Sequence, residues 1–183
     1  FWKRIKNQNG YRCTSLNRSK RVSTQIKCLA DKLATLSELS LHRPDIYPDA
    51  KCTTCSTRQD ETQDHLEICT IYKWQWYNII DITLSVAWSK LTREDRLNLT
   101  KEDLKILVCG TTCEEELHLR TNIIKGLFTQ KATDDITNKL GLRKKASQII
   151  ETFSCIGWNS FFNFIWKPRC ESYKAWERRE EIT

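Results

Sequence analysis

Residues 51–69 of the chain have the sequence KCTTCSTRQDETQDHLEIC. They contain the pattern Cys52-x2-Cys55-x9-His65-x3-Cys69. The first pair has the spacing of a tight turn that brings two sulfur atoms together, and the second has the i, i+4 spacing of one helix face. Three thiolates and one neutral imidazole complete a tetrahedron of soft ligands. The spacing therefore predicts a Zn²⁺ site.

The predicted zinc is structural, because four protein ligands leave no position open for water. The loop between the two ligand pairs, STRQDETQD, has no hydrophobic residue, so it needs the metal to become ordered. Three thiolates leave the site with a net charge of about −1, which amide donors or the adjacent Lys51 would offset. The alternative is four unrelated side chains in a cysteine-rich chain, and the two correctly spaced pairs argue against it.

The composition predicts an all-α fold, namely a helical domain with a small, zinc-knuckle-like Cys3His loop between helices. Only five glycines and three prolines occur among 183 residues, too few for the many tight turns of an all-β protein. We predict a basic N-terminal arm and first helix at 1–40 and a zinc-binding region at 41–75. A C-terminal helical region at 76–183 is expected to pack on the zinc region.

Two helices are expected to flank the zinc ligands. Apolar residues across 22–36 recur at spacings of four and three positions, which predicts a single helix. A second predicted helix spans about 62–88. Its middle, which includes Trp74 and Tyr77, is more apolar than one exposed helix would tolerate, so we expect this helix to be central.

Further helix signals follow in the C-terminal part of the chain. Thr100 and Asp103 have the spacing of a capping box at a helix start. A long, mostly buried helix is predicted from residue 143 onward. Gly157 should weaken this helix midway, and Pro168 should kink or break it.

The positive charge is concentrated at the N-terminus. The formal net charge is +7; the first thirty residues hold eight basic and no acidic side chains, and the remainder holds 22 basic and 23 acidic ones. Such an arm suits a polyanion, most simply nucleic acid, although a solvated linker is the alternative. A second basic cluster lies at 143–145. The candidate nucleic-acid contacts are Lys3, Arg4, Lys6, Arg12, Arg18, Lys20, Arg21, Arg143, Lys144 and Lys145.

No motif predicts a catalytic centre, and we expect the chain not to be an enzyme by itself. The nearest match to a polymerase carboxylate pair is Asp134-Asp135. That pair needs a hairpin to present its carboxylates to Mg²⁺, whereas here it follows Thr133, which is typical of a capped helix start. A glycine-rich phosphate loop and an open metal site are also missing.

A second cysteine pattern, Cys109-x3-Cys113-x4-His118, is a weaker metal candidate. It offers three ligands, and the x3 spacing is ordinary for a helix. Buried thiols that act as small hydrophobic residues are the favoured interpretation.

The cysteine usage also bears on the cellular compartment. The N-terminal FWKRIKNQNG lacks the apolar core of a signal peptide, and the apolar run GWNSFFNFIW is shorter than the ~20 residues of a membrane span. Nine cysteines without a secretory signal favour a reducing compartment, the nucleus or cytoplasm, and a metal site over disulfides. Because the sequence begins at Phe1 and contains no methionine, we interpret it as part of a longer chain.

The Cys3His segment at residues 51–69 resembles the zinc-binding region at the C-terminal end of non-LTR retroelement reverse transcriptases. The segment HRPDIYPDAKC resembles the leader to that site in retroelement-derived chains, expanded in some fungi, that carry a type-1 RNase H domain upstream, and the tail IWKPRCESYKAWERREEIT is similar to their ending. The matching residues are Cys52, Cys55, Glu61-Thr62, His65-Leu66 and Cys69.

The resemblance implies a nucleic-acid-associated role with no catalytic site of its own. The implied partners are RNA or DNA and the upstream RNase H or reverse transcriptase domain of the same polypeptide, which would hold any polymerase or RNase H activity. The alternative is a helical protein–protein interaction module that docks on that enzymatic domain, with zinc purely structural.

Overall fold

The computed structural model of the chain describes residues 16–179 and 181–182. This part is mostly helical and contains no strand, only an isolated bridge between Lys51 and Asp60. The predicted all-α class, with the Cys3His group between helices, is confirmed. The helices are α1 (Leu16–Leu29), α2 (Leu36–His42), α3 (His65–Ile68), α4 (Lys73–Ser89), α5 (Asp95–Asn98), α6 (Lys101–Cys109), α7 (Cys113–Lys125), α8 (Gln130–Leu140), α9 (Arg143–Phe161) and α10 (Lys167–Arg179), with a 3₁₀ turn at Thr70–Tyr72 and π-helical turns at Phe162–Trp166.

The prediction of one helix across 22–36 is wrong, because α1 starts earlier and ends at Leu29. The chain turns at Asp31, whose φ of 53° lies in the left-handed region. Leu33 and Leu36 are nevertheless buried. Leu33 lies in the same core as Cys28 of α1, whereas Ile26 of the predicted stripe is 44% exposed, so the apolar period alone could not locate the break.

The predicted helix across 62–88 is likewise divided. Cys69 leaves the helical conformation with ψ 124°, and the 3₁₀ turn then leads into α4. Helix α4 is central at Trp76, which is fully buried and stacks on Phe161 with ring centroids 5.8 Å apart. The Trp76 indole N–H also donates to the Leu66 carbonyl at 3.0 Å, which fixes α3, and the metal ligands beside it, on the core.

The C-terminal helix continues through Pro168 and is not broken there. The π turns precede the proline, and the Lys167 N–H donates to the Phe162 carbonyl five residues back. The wider turns accommodate a residue that lacks an N–H and clashes with the preceding turn of an ordinary α-helix. Gly157 has a packing role, because α9 approaches α7 so closely that a β-carbon there would lie 3.1 Å from Ile123.

Helix α9 is the centre of the packing and contacts α4, α7 and α8. The predicted capping box of Thr100 and Asp103 is present at the start of α6. Helix α8 is capped by Thr129, whose hydroxyl accepts from the Ala132 N–H, rather than by Thr133 as expected. Helix α10 extends from the π turns back to the segment that carries the Cys3His group, where Arg169 contacts Glu61 in the loop between the two pairs.

Candidate metal centre

The four predicted metal ligands converge in space. Their ligand atoms all lie within 4.8 Å of one another. All four side chains are buried, and the most accessible, Cys55, is 8% exposed. His65 Nε2 lies 3.4 Å from Cys55 Sγ, close to the separation of about 3.5 Å that tetrahedral bonds of about 2.0 Å to nitrogen and 2.3 Å to sulfur require. The group can therefore hold a metal ion.

Local backbone structure places each ligand. The Cys52 N–H donates to the Gln59 carbonyl, and the Glu61 N–H donates to the Ala50 carbonyl, each at 2.8 Å. These two bonds join the ends of the cysteine turn into a short ribbon. The His65 N–H donates to the Thr62 hydroxyl at 3.1 Å and so starts the single turn of α3.

Hydroxyl groups lie within hydrogen-bond distance of two of the three sulfur atoms. The Thr54 hydroxyl lies 3.1 Å from Cys52 Sγ, and the Thr57 hydroxyl lies 3.0 Å from Cys55 Sγ. The backbone amides of Thr57 and Ile71 oppose the effect of burial on the pKa of the Cys55 and Cys69 thiols, respectively. The two hydroxyl donors were not predicted, although a threonine two positions after each cysteine of the turn is visible in the sequence.

The predicted role of Lys51 in offsetting the thiolate charge is not observed. Its ammonium group pairs with Asp60 at 2.6 Å across the ribbon. Both side chains are about half exposed, at 49% and 56%. The donors at the sulfurs are therefore hydroxyls and amides, and the lysine instead closes the ribbon.

The thiols of the metal-free group differ in acidity. Burial would raise the pKa of Cys55, but hydrogen bonds from Thr57, Cys52 and His65 outweigh it and lower the pKa to about 6. Burial, together with the charges of Cys52 and Cys55, raises the pKa of Cys69 to about 12. A divalent cation among the sulfurs would replace this repulsion by attraction and allow all three to bind as thiolates.

A buried ion pair ties the loop between the ligand pairs to the rest of the fold. Arg169 Nε donates to Glu61 Oε1 at 3.2 Å, and its Nη2 donates to Glu61 Oε2. The side chains are 3% and 1% exposed. Glu61 also accepts from the Leu36 N–H at 2.9 Å, and Arg169 donates to the Ala34 carbonyl at 2.8 Å. The sequence analysis did not predict the pairing of Glu61 with Arg169, because the two residues lie 108 positions apart and no local pattern connects them.

The basic residues predicted to contact nucleic acid are only partly described. Lys3, Arg4, Lys6 and Arg12 lie outside the described residues, as do the side chains of Arg18 and Arg21 on α1; Lys20 is exposed there. Within the second basic cluster, Arg143 and Lys144 are exposed at the start of α9, and Arg143 approaches Asp134 at 3.9 Å. Lys145 instead pairs with the buried Asp95 at 2.6 Å.

The second cysteine pattern does not assemble into a metal-ligating group within residues 16–179. Cys109 is buried, and burial raises the pKa of its thiol to about 12. Cys113 is exposed, and the exposed His118 lies 4.0 Å from Glu114. The burial of Cys109 agrees with its interpretation as a small core residue. Nor do Asp134 and Asp135 form a hairpin pair, since both lie inside α8.

An apolar surface beside the metal centre was not expected. Trp74 is 76% exposed, and Tyr77 is 45% exposed with its ring centroid 5.9 Å from that of Trp74. Ile68 and Ile71, on either side of the ligand Cys69, are each 50% exposed. We call these four residues the Trp74 surface. The predicted central position of this helix holds at Trp76, whereas Trp74 and Tyr77 on the same helix are exposed.

Comparison of the chain with protein-family models, curated proteins and solved structures found no match. Among the helices that the structure describes, none combines the length and apolar character needed to cross a membrane.

Proposed function

We propose that the chain is a non-catalytic zinc-binding accessory region of a retroelement-derived reverse transcriptase/RNase H protein, and that it binds RNA or DNA. The observation that carries the proposal is the buried Cys3His group, in which the ligand atoms of four side chains lie within 4.8 Å of one another. Zn²⁺ suits three thiolates and an imidazole better than harder ions do, and four protein ligands leave it no open position for chemistry.

Two features support nucleic acid as the partner. The basic arm accounts for the whole excess of positive charge on the chain, because the residues after the first thirty hold 22 basic and 23 acidic side chains. The exposed Arg143 and Lys144 add a second positive region at the start of α9. The retroelement assignment rests on the resemblance around the zinc ligands. The proposed compartment is the nucleus or cytoplasm, where thiolates remain reduced.

Fluorescence anisotropy with labelled single-stranded RNA and DNA, each at a low and a high salt concentration, tests nucleic-acid binding. We expect affinity to fall steeply with salt, with a slope of about 0.7 per phosphate contact in single strands. A variant that replaces four arm residues by glutamine should lower the affinity and the slope. Its control replaces four exposed basic residues of α10 and should bind like the wild type. The variants are K3Q/R4Q/K6Q/R12Q and K167Q/K174Q/R178Q/R179Q.

Absence of binding by the wild-type protein at low salt would contradict the nucleic-acid part of the proposal. Equal losses in the arm variant and the α10 variant would show that only the overall charge matters. In that case the arm would not be the contact surface.

The Trp74 surface favours a second candidate, a helical interaction module that docks on the upstream enzymatic domain. Large exposed aromatic side chains beside aliphatic ones are typical of the centre of a protein–protein interface. Here the exposed aromatic pair continues directly from the metal-ligating segment, so the metal would hold this surface in shape.

Titration of the chain with a reverse transcriptase or RNase H domain from the same polypeptide tests docking. If Trp74 anchors the contact, Trp74→Ala should weaken binding by about 30-fold, the effect of losing a hot-spot residue. Leu97→Ala is the matched control, because Leu97 is 81% exposed on α5 and lies outside this surface. An unchanged affinity in Trp74→Ala would exclude docking through the Trp74 surface.

A further inference from the structure

The metal centre that the proposed function rests on has an unbalanced charge. Three thiolates, a neutral imidazole and a divalent ion have a net charge of about −1. All four ligand residues are buried, and a buried charge is costly unless hydrogen bonds or counter-charges compensate it. Lys51, the basic residue next to Cys52, is paired with Asp60 at 2.6 Å. The compensation must therefore come from other donors.

We infer that the hydroxyl groups of Thr54 and Thr57 are charge-compensating side-chain donors of this centre, and that they set both its metal affinity and the reactivity of the thiolates they contact. The hydroxyl oxygens lie 3.1 Å from Cys52 Sγ and 3.0 Å from Cys55 Sγ. A thiolate has no proton, so in the metal-bound state the hydroxyl is the donor in each pair. Each bond is charge-assisted, which makes it stronger than one between neutral groups.

The geometry repeats across the turn. In both cases the donor is two residues after the ligand, so the sequence Cys-Thr-Thr-Cys-Ser-Thr places one hydroxyl on each of the first two sulfurs. Thr54 and Thr57 are exposed residues, and replacing them removes no core packing. An effect of losing the hydroxyl therefore reports on the sulfur atom and not on the stability of the core.

Thr53 provides a matched control within the same turn. It is also exposed, but its hydroxyl lies 3.3 Å from the Tyr173 hydroxyl and not at a sulfur atom. Valine has nearly the shape of threonine without the hydroxyl, and serine keeps the hydroxyl without the methyl group. The valine and serine variants of Thr54 and Thr57, compared with Thr53→Val, separate the hydrogen bond from shape and from the position in the turn.

The first measurement is Zn²⁺ affinity of the full chain by competition with a chromophoric chelator. Loss of a partner that hydrogen-bonds a metal ligand typically weakens metal binding by about 10- to 100-fold. We expect that loss in Thr54→Val and in Thr57→Val, a larger one in the double variant, and wild-type affinity in Thr53→Val and in both serine variants. Circular dichroism of each Zn²⁺-loaded variant checks that it remains helical.

The second measurement is the rate at which iodoacetamide alkylates each cysteine of the Zn²⁺-loaded protein, with the sites assigned by peptide mass spectrometry. A hydrogen bond withdraws electron density from a thiolate and makes it a weaker nucleophile. Thr54→Val should therefore accelerate alkylation of Cys52, and Thr57→Val that of Cys55, with a smaller effect on Cys69. This site-by-site pattern would not arise from a general loosening of the turn.

The outcomes separate this inference from the metal assignment. If the wild-type chain binds no Zn²⁺, the metal assignment itself is wrong, and the inference fails with it. If the wild type binds Zn²⁺ and the double valine variant has the same affinity and alkylation rates, only the inference is overturned. It is also overturned if the serine variants lose as much affinity as the valine variants, because the methyl groups would then be responsible.

Discussion

Replacing Arg169 by methionine tests how the metal-binding loop is attached to the helical core. Burial disfavours the guanidinium cation, but hydrogen bonds and the charge of Glu61 outweigh this and raise the pKa of Arg169. The substitution removes the cation and its donors while keeping a side chain of similar length. It leaves a carboxylate that is 1% exposed without its counter-charge, and the Ala34 carbonyl without its donor.

The expected effect is large because both charges are buried. Removing one partner of a buried ion pair destabilises a protein by about 3–5 kcal/mol. In a domain of 150–250 residues, each kcal/mol lowers Tm by about 2–4 °C, so Tm should fall by about 6–20 °C. Replacing both partners by apolar residues, as in Glu61→Leu with Arg169→Met, should cost much less than the sum of the two single changes, since no unpaired charge remains.

Urea unfolding of the Zn²⁺-loaded protein measures the difference in free energy. Lys167→Met is the control on the same helix, because Lys167 pairs with Glu171 at 3.8 Å while both side chains are more than half exposed. Such a pair contributes at most about 1 kcal/mol. If Arg169→Met lost no more stability than Lys167→Met, the inference that this ion pair is buried and holds the loop would be refuted.

Three further variants test the metal centre, the helix packing and a buried carboxylate. Cys55→Ser should abolish stoichiometric Zn²⁺ binding and lower Tm, because metal binding supplies on the order of 10 kcal/mol to small zinc sites. Mass spectrometry measures the bound Zn²⁺, and calorimetry measures Tm. The control Cys113→Ser, at an exposed thiol, should behave like the wild type. Gly157→Ala should destabilise the protein by about 1–3 kcal/mol in urea unfolding, because the new methyl group would lie 3.1 Å from Ile123; greater stability, as intrinsic helix propensity alone would give, would contradict the close approach of α9 and α7. Asp95→Asn should be less stable than the wild type at pH 6, and the difference in Tm should disappear as the pH falls below about 4. The lysine partner of Asp95 holds the pKa of this carboxyl below its ordinary value, so its contribution to stability is present above that value and is lost on protonation; a difference that is constant across the pH range would show that the charge is not involved.

Most of the candidate site could be predicted because its ligands are close in the sequence. A cysteine pair at i, i+3 and a histidine–cysteine pair at i, i+4 need only a turn and one helical turn to bring their ligand atoms together. The same holds for the capping box of Thr100 and Asp103, which depends only on two residues three positions apart at a helix start. The hydroxyl donors were also within reach of the sequence, since each follows its cysteine at a fixed spacing.

The breaks in the helices were not predictable from periodicity. The turn at Asp31 and the change of backbone direction at Cys69 leave the apolar spacing on either side intact. Cys69, whose sulfur atom lies within 4.8 Å of the other three ligand atoms, leaves the helical conformation at this point. The predicted break at Pro168 is absent for a related reason, since the helix widens into π turns just before the residue that lacks an N–H.

By itself, then, the sequence determined the helical class, the four members of the Cys3His group and the position of the excess positive charge, because each of these depends on composition or on short local spacings. The tertiary structure alone decided that Glu61 pairs with Arg169, that Trp74 faces outward while Trp76 lies in the core, and that Lys51 turns to Asp60 rather than to the sulfurs. Such choices depend on which distant element approaches a side chain, and local spacing carries no information about that approach.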